Sequence, residues 1–98
     1  SGVNLPKDFQ VMQNYPNPFN QETILSYELY KPAKVKIGIY NIQGSKIKSL
    51  MNKSQNRGQY TIHWYGLTSR GKLAPSGFYF VRFQINNITK VIRMQLIK

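Results

Sequence analysis

Apolar and polar residues alternate with a period of two along most of this chain, and no window shows the period of a helix. The clearest stretches, in which every second residue is apolar, are 25–29, 35–39, 60–64 and 79–85. One face of a strand recurs at every second position, whereas one face of a helix recurs at every third or fourth. The chain is therefore predicted to consist of strands, the last of which carries Ile92, Met94 and Leu96.

Turn-forming segments separate these stretches at intervals of roughly ten residues, which is typical of antiparallel sandwiches and barrels. They are residues 31–33, 41–44, 52–58 and 86–87. Gly44 is free to adopt the positive φ that a tight hairpin needs. Because residues 52–58 are polar, we expect the strand before them to end at Leu50. Residues 65–77 are rich in Gly, Ser and Pro and are predicted to be irregular.

The length of 98 residues suffices for one hydrophobic core without disulfides, and the chain has no cysteine to form them. With helices absent, only a second sheet can cover the apolar face of the first. The sequence thus predicts an all-β fold, an immunoglobulin-like antiparallel β-sandwich of about seven strands. Trp64, at the apolar phase of its strand, is the expected central aromatic residue of the core.

Charge is distributed unevenly, because all three acidic residues lie within the first 28 positions. The 14 Lys and Arg residues outnumber these three acids, so the net charge is +11. Cations at the polar phase of the strands are predicted to form a basic face: Lys34, Lys36, Lys46, Lys48 and Arg82. Two interpretations stay open, a solvated face that discourages edge pairing and a binding face for an anionic polymer. Nucleic acid is disfavoured as the partner, because several aromatic residues occupy the apolar phase, where they build core instead of stacking on bases.

Candidates for catalysis or ligand binding are scarce. General acid–base catalysis needs paired carboxylates or an oriented histidine, and His63 is the only histidine, at a position predicted to face solvent. One histidine, three scattered acids and no cysteine cannot fill a metal coordination shell. Gly66, Gly71 and Gly77 precede no predicted helix and are interpreted as turn glycines, not as a phosphate-binding loop. We therefore expect no enzyme activity, no metal and no cofactor.

The segment QNYPNPFN, which we call the opening segment (residues 13–20), is dense in proline, asparagine and aromatic residues. Pro16 and Pro18 restrict φ and bias the residues before them toward extended conformations. Tyr15 and Phe19 are four residues apart, which predicts that both lie on one face and cover one end of the sandwich. The segment is expected to stay outside the ladders, because its asparagine side chains can hydrogen-bond the backbone instead. We expect a stiff lid.

Further motifs follow the opening segment in a fixed order. They are VKIGIYNIQG (35–44), GQYTIHWYG (58–66), SGFYFV (76–81) and RMQLIK (93–98). The ordered set closely resembles the type A C-terminal sorting domain carried by cargo proteins of the type IX secretion system of Bacteroidetes, a family similar to the immunoglobulin-like domain of the flagellar hook-cap protein. The resemblance covers residues 12–98, the predicted sorting domain, and residues 1–11 are interpreted as a tag remnant and linker. One loop departs from the family pattern, because Tyr65 and Leu67 stand where the family usually has acidic residues or asparagine.

The resemblance implies a domain fused behind a larger secreted cargo domain of the same chain. Its partners would be an outer-membrane translocon, a cell-surface sortase and, in anchored members, an anionic lipopolysaccharide. The protein would cross the periplasm and outer membrane to be secreted or held at the cell surface, and no apolar run is long enough for a transmembrane segment. The residues expected to take part in recognition are Pro16, Asn17, Pro18, Phe19, Gly77, Tyr79, Arg93, Met94, Leu96 and Lys98.

An alternative function stays open at the level of the sequence. The domain would then be an accessory module that binds carbohydrate or an anionic polymer beside a secreted enzyme. It would use the basic face, or stack sugar rings on aromatic residues at exposed positions: Tyr30, Tyr65, Phe78 and Phe80.

Overall fold

Seven antiparallel strands account for most of residues 8–98, the part of the chain that this computed structural model describes. In chain order the strands are β1 (Phe9–Val11), β2 (Thr23–Leu29), β3 (Ala33–Asn41), β4 (Lys46–Gln55), β5 (Gly58–Trp64), β6 (Gly77–Ile85) and β7 (Ile88–Leu96). One sheet has the order β1-β2-β5 and the other the order β4-β3-β6-β7. The predicted immunoglobulin-like β-sandwich of about seven strands is confirmed. None of the described residues forms a helix able to cross a membrane.

The core lies between the two sheets and is built from the apolar phase of each strand. Every second residue of β2 is buried, and the intervening residues are half-buried. The same alternation brings Val35 of β3 and Phe83 of β6 inward. Trp64 is 1% exposed, and its ring centroid lies 5.7 Å from that of Phe19 and 5.5 Å from that of Tyr79. The predicted central position of Trp64 is confirmed.

Two of the predicted hairpin turns form as the local sequence indicates. Between β3 and β4, the backbone N–H of Ser45 donates to Asn41 Oδ1 (2.9 Å), and Gly44 adopts φ +86°. Between β6 and β7, Asn86 adopts φ +54°, and its Oδ1 accepts a hydrogen bond from the backbone N–H of Lys34 (3.0 Å). Glycine and asparagine tolerate this left-handed conformation better than other residues do.

β4 is longer than the sequence predicts. It continues to Gln55, so the predictions that it ends at Leu50 and that residues 52–58 form a loop were wrong. The polar composition is explained by the place of β4 at the edge of its sheet, where outward-facing residues meet water. Gln55 is nevertheless buried, and its Oε1 accepts a hydrogen bond from the Tyr27 hydroxyl of the opposite sheet.

β1 extends the three-stranded sheet upstream of the domain boundary predicted at residue 12. Phe9 pairs with Leu29 and Val11 pairs with Tyr27, and the side chain of Phe9 is buried. Residues 9–11, which were assigned to the linker, therefore belong to the sheet. The predicted tag remnant and the first part of the linker, residues 1–7, lie outside the described residues.

Candidate interaction surface at the C-terminal strand

The opening segment lies beside the C-terminal end of β7, although the two come from opposite ends of the sequence. Phe19 forms a parallel bridge with Leu96. The N–H of Phe19 donates to the carbonyl oxygen of Gln95 (2.9 Å), and its own carbonyl accepts from the N–H of Ile97 (2.8 Å). Apart from isolated bridges at Tyr15 and Phe19, the segment stays outside the ladders, as expected. Phe19 can form its bridge because it keeps the N–H that the two prolines lack.

Side-chain amides complete this contact. Asn17 Oδ1 accepts a hydrogen bond from the N–H of Gln95 (3.0 Å), and Asn17 Nδ2 donates to the carbonyl of Arg93 (3.4 Å). Gln13 Nε2 donates to the same carbonyl (3.0 Å). Alternate residues of an edge strand direct their backbone groups away from the paired strand. Arg93 and Gln95 do so in β7, and Ile97 does so just after its end. The opening segment therefore covers this end of the sheet edge.

A second set of bonds holds the opening segment to the start of β2. Asn14 is buried and donates from Nδ2 to Thr23 Oγ1 (2.8 Å), whose hydroxyl donates to the carbonyl of Pro16 (2.7 Å). Tyr15 and Ile24 exchange backbone hydrogen bonds of 3.1 and 2.8 Å. Both X-Pro peptide bonds of the segment are cis. Buried polar groups that find partners restrict the chain that carries them, so these contacts favour a fixed position for the segment, and its stiffness stays a prediction.

Tyr15 and Phe19 do not share a face, so that prediction was wrong. Phe19 is 3% exposed and packs against Trp64, whereas Tyr15 is 78% exposed. Tyr15 is bridged to Ile24 of one sheet and Phe19 to Leu96 of the other. Because the segment changes its partner sheet between these two residues, their spacing along an extended chain does not decide where their side chains point.

Two grooves flank the end of β7, and we call them together the terminal grooves. The first has a volume of about 450 Å³ and is lined by Pro16, Pro18, Phe19, Asn20, Ile97 and Lys98. The second has a volume of about 480 Å³ and is lined by Asn20, Gln21, Tyr65, Gly66, Leu73, Leu96 and Lys98. Exposed apolar side chains border them: Tyr65 (56%), Leu73 (69%) and Ile97 (47%). Concave surfaces with exposed apolar side chains are typical of binding sites.

The structure places most of the predicted recognition residues at this end of the molecule. Those that line the terminal grooves are Pro16, Pro18, Phe19, Leu96 and Lys98. Asn17 bonds to the backbone of Arg93 beside them. Met94 and Tyr79 are instead buried in the core, and Gly77 pairs with Leu96 in the ladder. The part that these residues play in recognition stays a prediction.

Tyr65, Leu73 and Ile97 border the grooves, although the sequence did not place them in the recognition set. Tyr65 and Leu73 come from the irregular loop between β5 and β6, where no periodicity indicates which side chains are exposed. The loop is shaped by a bridge between Leu67 and Leu73 and by a hydrogen bond from the Trp64 indole to the carbonyl of Leu67 (2.9 Å). The sequence signal for Leu73 was that it is an apolar residue within a loop rich in Gly and Pro.

The predicted basic face forms on the outer surface of the four-stranded sheet, with one exception. The cations at outward-facing positions are Lys34, Lys36, Lys46 and Arg82. Lys48 pairs with Ile39, whose side chain lies in the core. Lys48 itself is half-buried. The prediction that Lys46 and Lys48 share a face was wrong, because a register shift in β4 between their partners breaks the alternation, as a β-bulge does.

His63 faces solvent, as predicted, but it is not isolated. Its Nδ1 contacts Oε2 of Glu22, and its ring stacks on Tyr65 with centroids 6.1 Å apart. Glu22 just precedes β2, and the register that pairs Ile24 with His63 brings the carboxylate close. Both side chains of the contact are substantially exposed, so it is a surface pair. The expectation of no enzyme activity stays a prediction.

The profile of the family described as the FlgD Ig-like domain matches residues 13–87. The matched range begins with the opening segment and ends at the turn before β7. A comparison with curated proteins finds no significant match.

Two solved structures share the fold. Dimeric latent PorU from Porphyromonas gingivalis aligns with a TM-score of 0.72 and 19% identity, over 91% of this chain and 9% of PorU. PorZ, described as an essential bacterial surface component of the type IX secretion system of Porphyromonas gingivalis, aligns with a TM-score of 0.63 and 19% identity, over 90% of this chain and 11% of PorZ. The chain thus corresponds to a small part of each protein, and at this identity the likeness is one of fold.

Proposed function

The chain belongs to the FlgD Ig-like domain family, and from this premise we propose that it is a type A C-terminal sorting domain of a type IX secretion cargo protein. In this role it directs an upstream cargo domain through the outer membrane. The order of the motifs from the opening segment to Lys98 supports the proposal. The fold that the chain shares with part of PorZ, a type IX secretion component, supports it as well.

The observation that carries the proposal is the composite surface at the end of β7. The terminal grooves need both the opening segment and β7, so a receptor that binds them distinguishes the folded domain from an unfolded tail. Leu73 and Ile97 would lose exposed apolar area on docking, which is favourable by about 25 cal/mol per Å². Lys98 borders both grooves and would add a charged contact.

The partners that we propose are the outer-membrane translocon and a cell-surface sortase. The sortase would cleave upstream of the opening segment, and the cargo would then be released or held at the cell surface on an anionic lipopolysaccharide. The domain itself would contribute binding and no catalysis. Its location would follow that of the cargo, from the periplasm to the cell exterior.

Export of a reporter tests the proposal. Residues 8–98 are fused behind a fluorescent protein that carries a periplasmic leader, in a host with the secretion system. We expect fluorescence in the medium or on intact cells, and none outside a matched strain without the translocon. The reporter without the domain is the second control. Retention of the folded fusion in the periplasm would contradict the proposal, and affinity of that fusion for a polysaccharide would favour the accessory binding module.

Truncation after Asn87 is a poor test of the surface, because it removes all of β7. Met94 and Leu96 are each 1% exposed, and β6 would lose the partner to which it is paired along its whole length. Loss of export could then follow from unfolding. Substitutions of exposed groove residues separate recognition from folding.

A further inference from the structure

A recess lies in the middle of the outer face of the four-stranded sheet. Its floor is Gly38, which the register places between Ser49 of β4 and Arg82 of β6. A Cβ added at Gly38 would lie 3.2 Å from Tyr40 Cε1 and 3.4 Å from Lys46 Cε, so the missing side chain is what lets Tyr40 and Lys46 close in around the backbone here. The volume is about 70 Å³, well above the ~10–15 Å³ that a cavity needs to hold one water molecule. That is room for a small polyatomic ion.

Hydrogen-bond donors line this recess, and no acid is among them. The polar side chains at its wall are Lys36, Lys46, Ser49, Asn52, Arg82 and Gln84. The sequence has no Asp or Glu after Glu28, and the ion pairs observed in residues 8–98 lie elsewhere. The positive charge of the recess is therefore not compensated by the described part of the chain. A cationic concavity of this kind attracts anions.

Aromatic rings position two guanidinium groups on this face. Arg82 Cζ lies 5.9 Å from the ring centroid of Tyr40, and Arg93 Cζ lies 5.0 Å from that of Phe78. Cation–π contacts restrain the arginine side chains, and a planar guanidinium donates two parallel hydrogen bonds to one oxyanion. Because the guanidinium groups lie over these rings, the rings are less available for stacking on bases or sugars.

We infer that the recess binds a phosphate or sulfate group carried by an acidic polysaccharide. A tetrahedral oxyanion suits the volume and the ring of donors. Amide and hydroxyl side chains at the wall, namely Asn52, Gln84 and Ser49, both donate and accept, as sugar hydroxyls require. Arg93 and Lys34 lie further along the same face and would meet the next charges of a repeating polymer.

This site is independent of the proposed sorting role. None of the residues that line the recess lines either of the terminal grooves. The recess is built from the four-stranded sheet alone, whereas the grooves need the opening segment and the loop after β5. Binding at the recess is therefore measured with the purified chain, without the secretion system, and either proposal can fail without the other.

Binding of the full chain to dextran sulfate tests the inference, with uncharged dextran as the comparison, in about 0.15 M salt. We expect calorimetry to detect binding to dextran sulfate and none to dextran. Arg82→Gln should weaken binding about tenfold or more, because it removes a charge-assisted donor. Gly38→Ala should weaken it without changing any charge, since the new Cβ occupies the recess. The new Cβ would press on two side chains that can shift, and it would lie 3.5 Å from the carbonyl oxygen of Lys48, an ordinary contact distance. This variant should therefore fold, which thermal unfolding checks.

Lys53→Gln is the matched control for charge. Lys53 lies on the same strand as Lys46, but it pairs with Val35, whose side chain is in the core, and it does not line the recess. Its substitution should change the dissociation constant less than about threefold. If Arg82→Gln and Lys53→Gln lose affinity for dextran sulfate equally, or if Gly38→Ala binds it as the wild type does, the assignment of the recess as the binding site is overturned. Tighter binding to single-stranded DNA or to phosphatidylglycerol vesicles would overturn the choice of polysaccharide.

Discussion

At the scale of single residues, a buried hydrogen bond between Tyr27 and Gln55 links the two sheets. Tyr27 is completely buried between the rings of Tyr60 and Phe83, whose centroids lie 5.3 and 5.9 Å away. Burial raises the pKa of Tyr27 to about 12, although the hydrogen bond to Gln55 acts in the opposite direction. The alternation of β2 predicted that Tyr27 is in the core. Nothing local predicted the burial of Gln55, because its partner lies on another strand of the opposite sheet.

Tyr27→Phe should destabilise the protein near neutral pH. The substitution leaves the buried Gln55 Oε1 without its donor, which costs roughly 1–3 kcal/mol. The free energy of unfolding, measured with guanidinium chloride, reports the loss. A variant as stable as the wild type at pH 7 would show that the hydroxyl contributes nothing to the folded state.

The same variant isolates the pH dependence of Tyr27. The folded pKa of about 12 lies above the ordinary value of 10.0, so the native state holds the proton more tightly. The stability that Tyr27 contributes through this raised pKa is fully present below pH 10 and is lost as the pH rises through 12. Between pH 9 and 11 the wild type should therefore lose about 1 kcal/mol relative to Tyr27→Phe. Burial also raises the pKa of Tyr79. Because Tyr79 is present in both proteins, its effect cancels from the difference in stability. A constant difference over this range would contradict the raised pKa.

At the scale of elements, the contact between the opening segment and β7 is the feature that sequence patterns did not predict. Each part was predicted separately, the segment from its prolines and the strand from its alternation. Their contact joins residues from opposite ends of the chain and depends on how the two sheets stack, which no local pattern encodes. No sequence pattern identifies the extra residues that shift the register of β4 either. The sequence therefore predicted the wrong face of the sheet for Lys48.

Asn17→Ala should loosen this contact. It removes the hydrogen bonds to the N–H of Gln95 and the carbonyl of Arg93. A typical hydrogen bond contributes about 1 kcal/mol to stability, so the unfolding temperature should fall by a few degrees. Amide hydrogen exchange at Gln95 should become faster, while exchange in the middle of β6 stays unchanged below global unfolding. Asn20→Ala is the control, because Asn20 is exposed. Unchanged exchange at Gln95 would show that Asn17 does not hold the segment.

At the scale of the whole molecule, the sandwich could be predicted from the sequence because period-two alternation allows few other arrangements. Only 19% identity connects this chain to segments of PorU and PorZ, yet the fold is shared. The candidate surface was predicted in part. Pro16, Pro18 and Lys98 were included. Tyr65 was named only as an exposed aromatic residue for the alternative function, and Leu73 was not named, because no sequence pattern shows that the loop after β5 lies beside the end of β7.

The central claim is that the secretion machinery recognises the folded surface formed by the opening segment, β7 and the neighbouring loop. The most direct test is the export of the reporter fusion carrying Tyr65→Ser and Leu73→Ser together. Both side chains are exposed, so the fold should persist. The control is Ile42→Ser, which is 66% exposed and lines neither of the terminal grooves. We predict that the double variant stays in the periplasm with an unchanged unfolding temperature, while Ile42→Ser is exported normally. Normal export of the double variant would contradict the account.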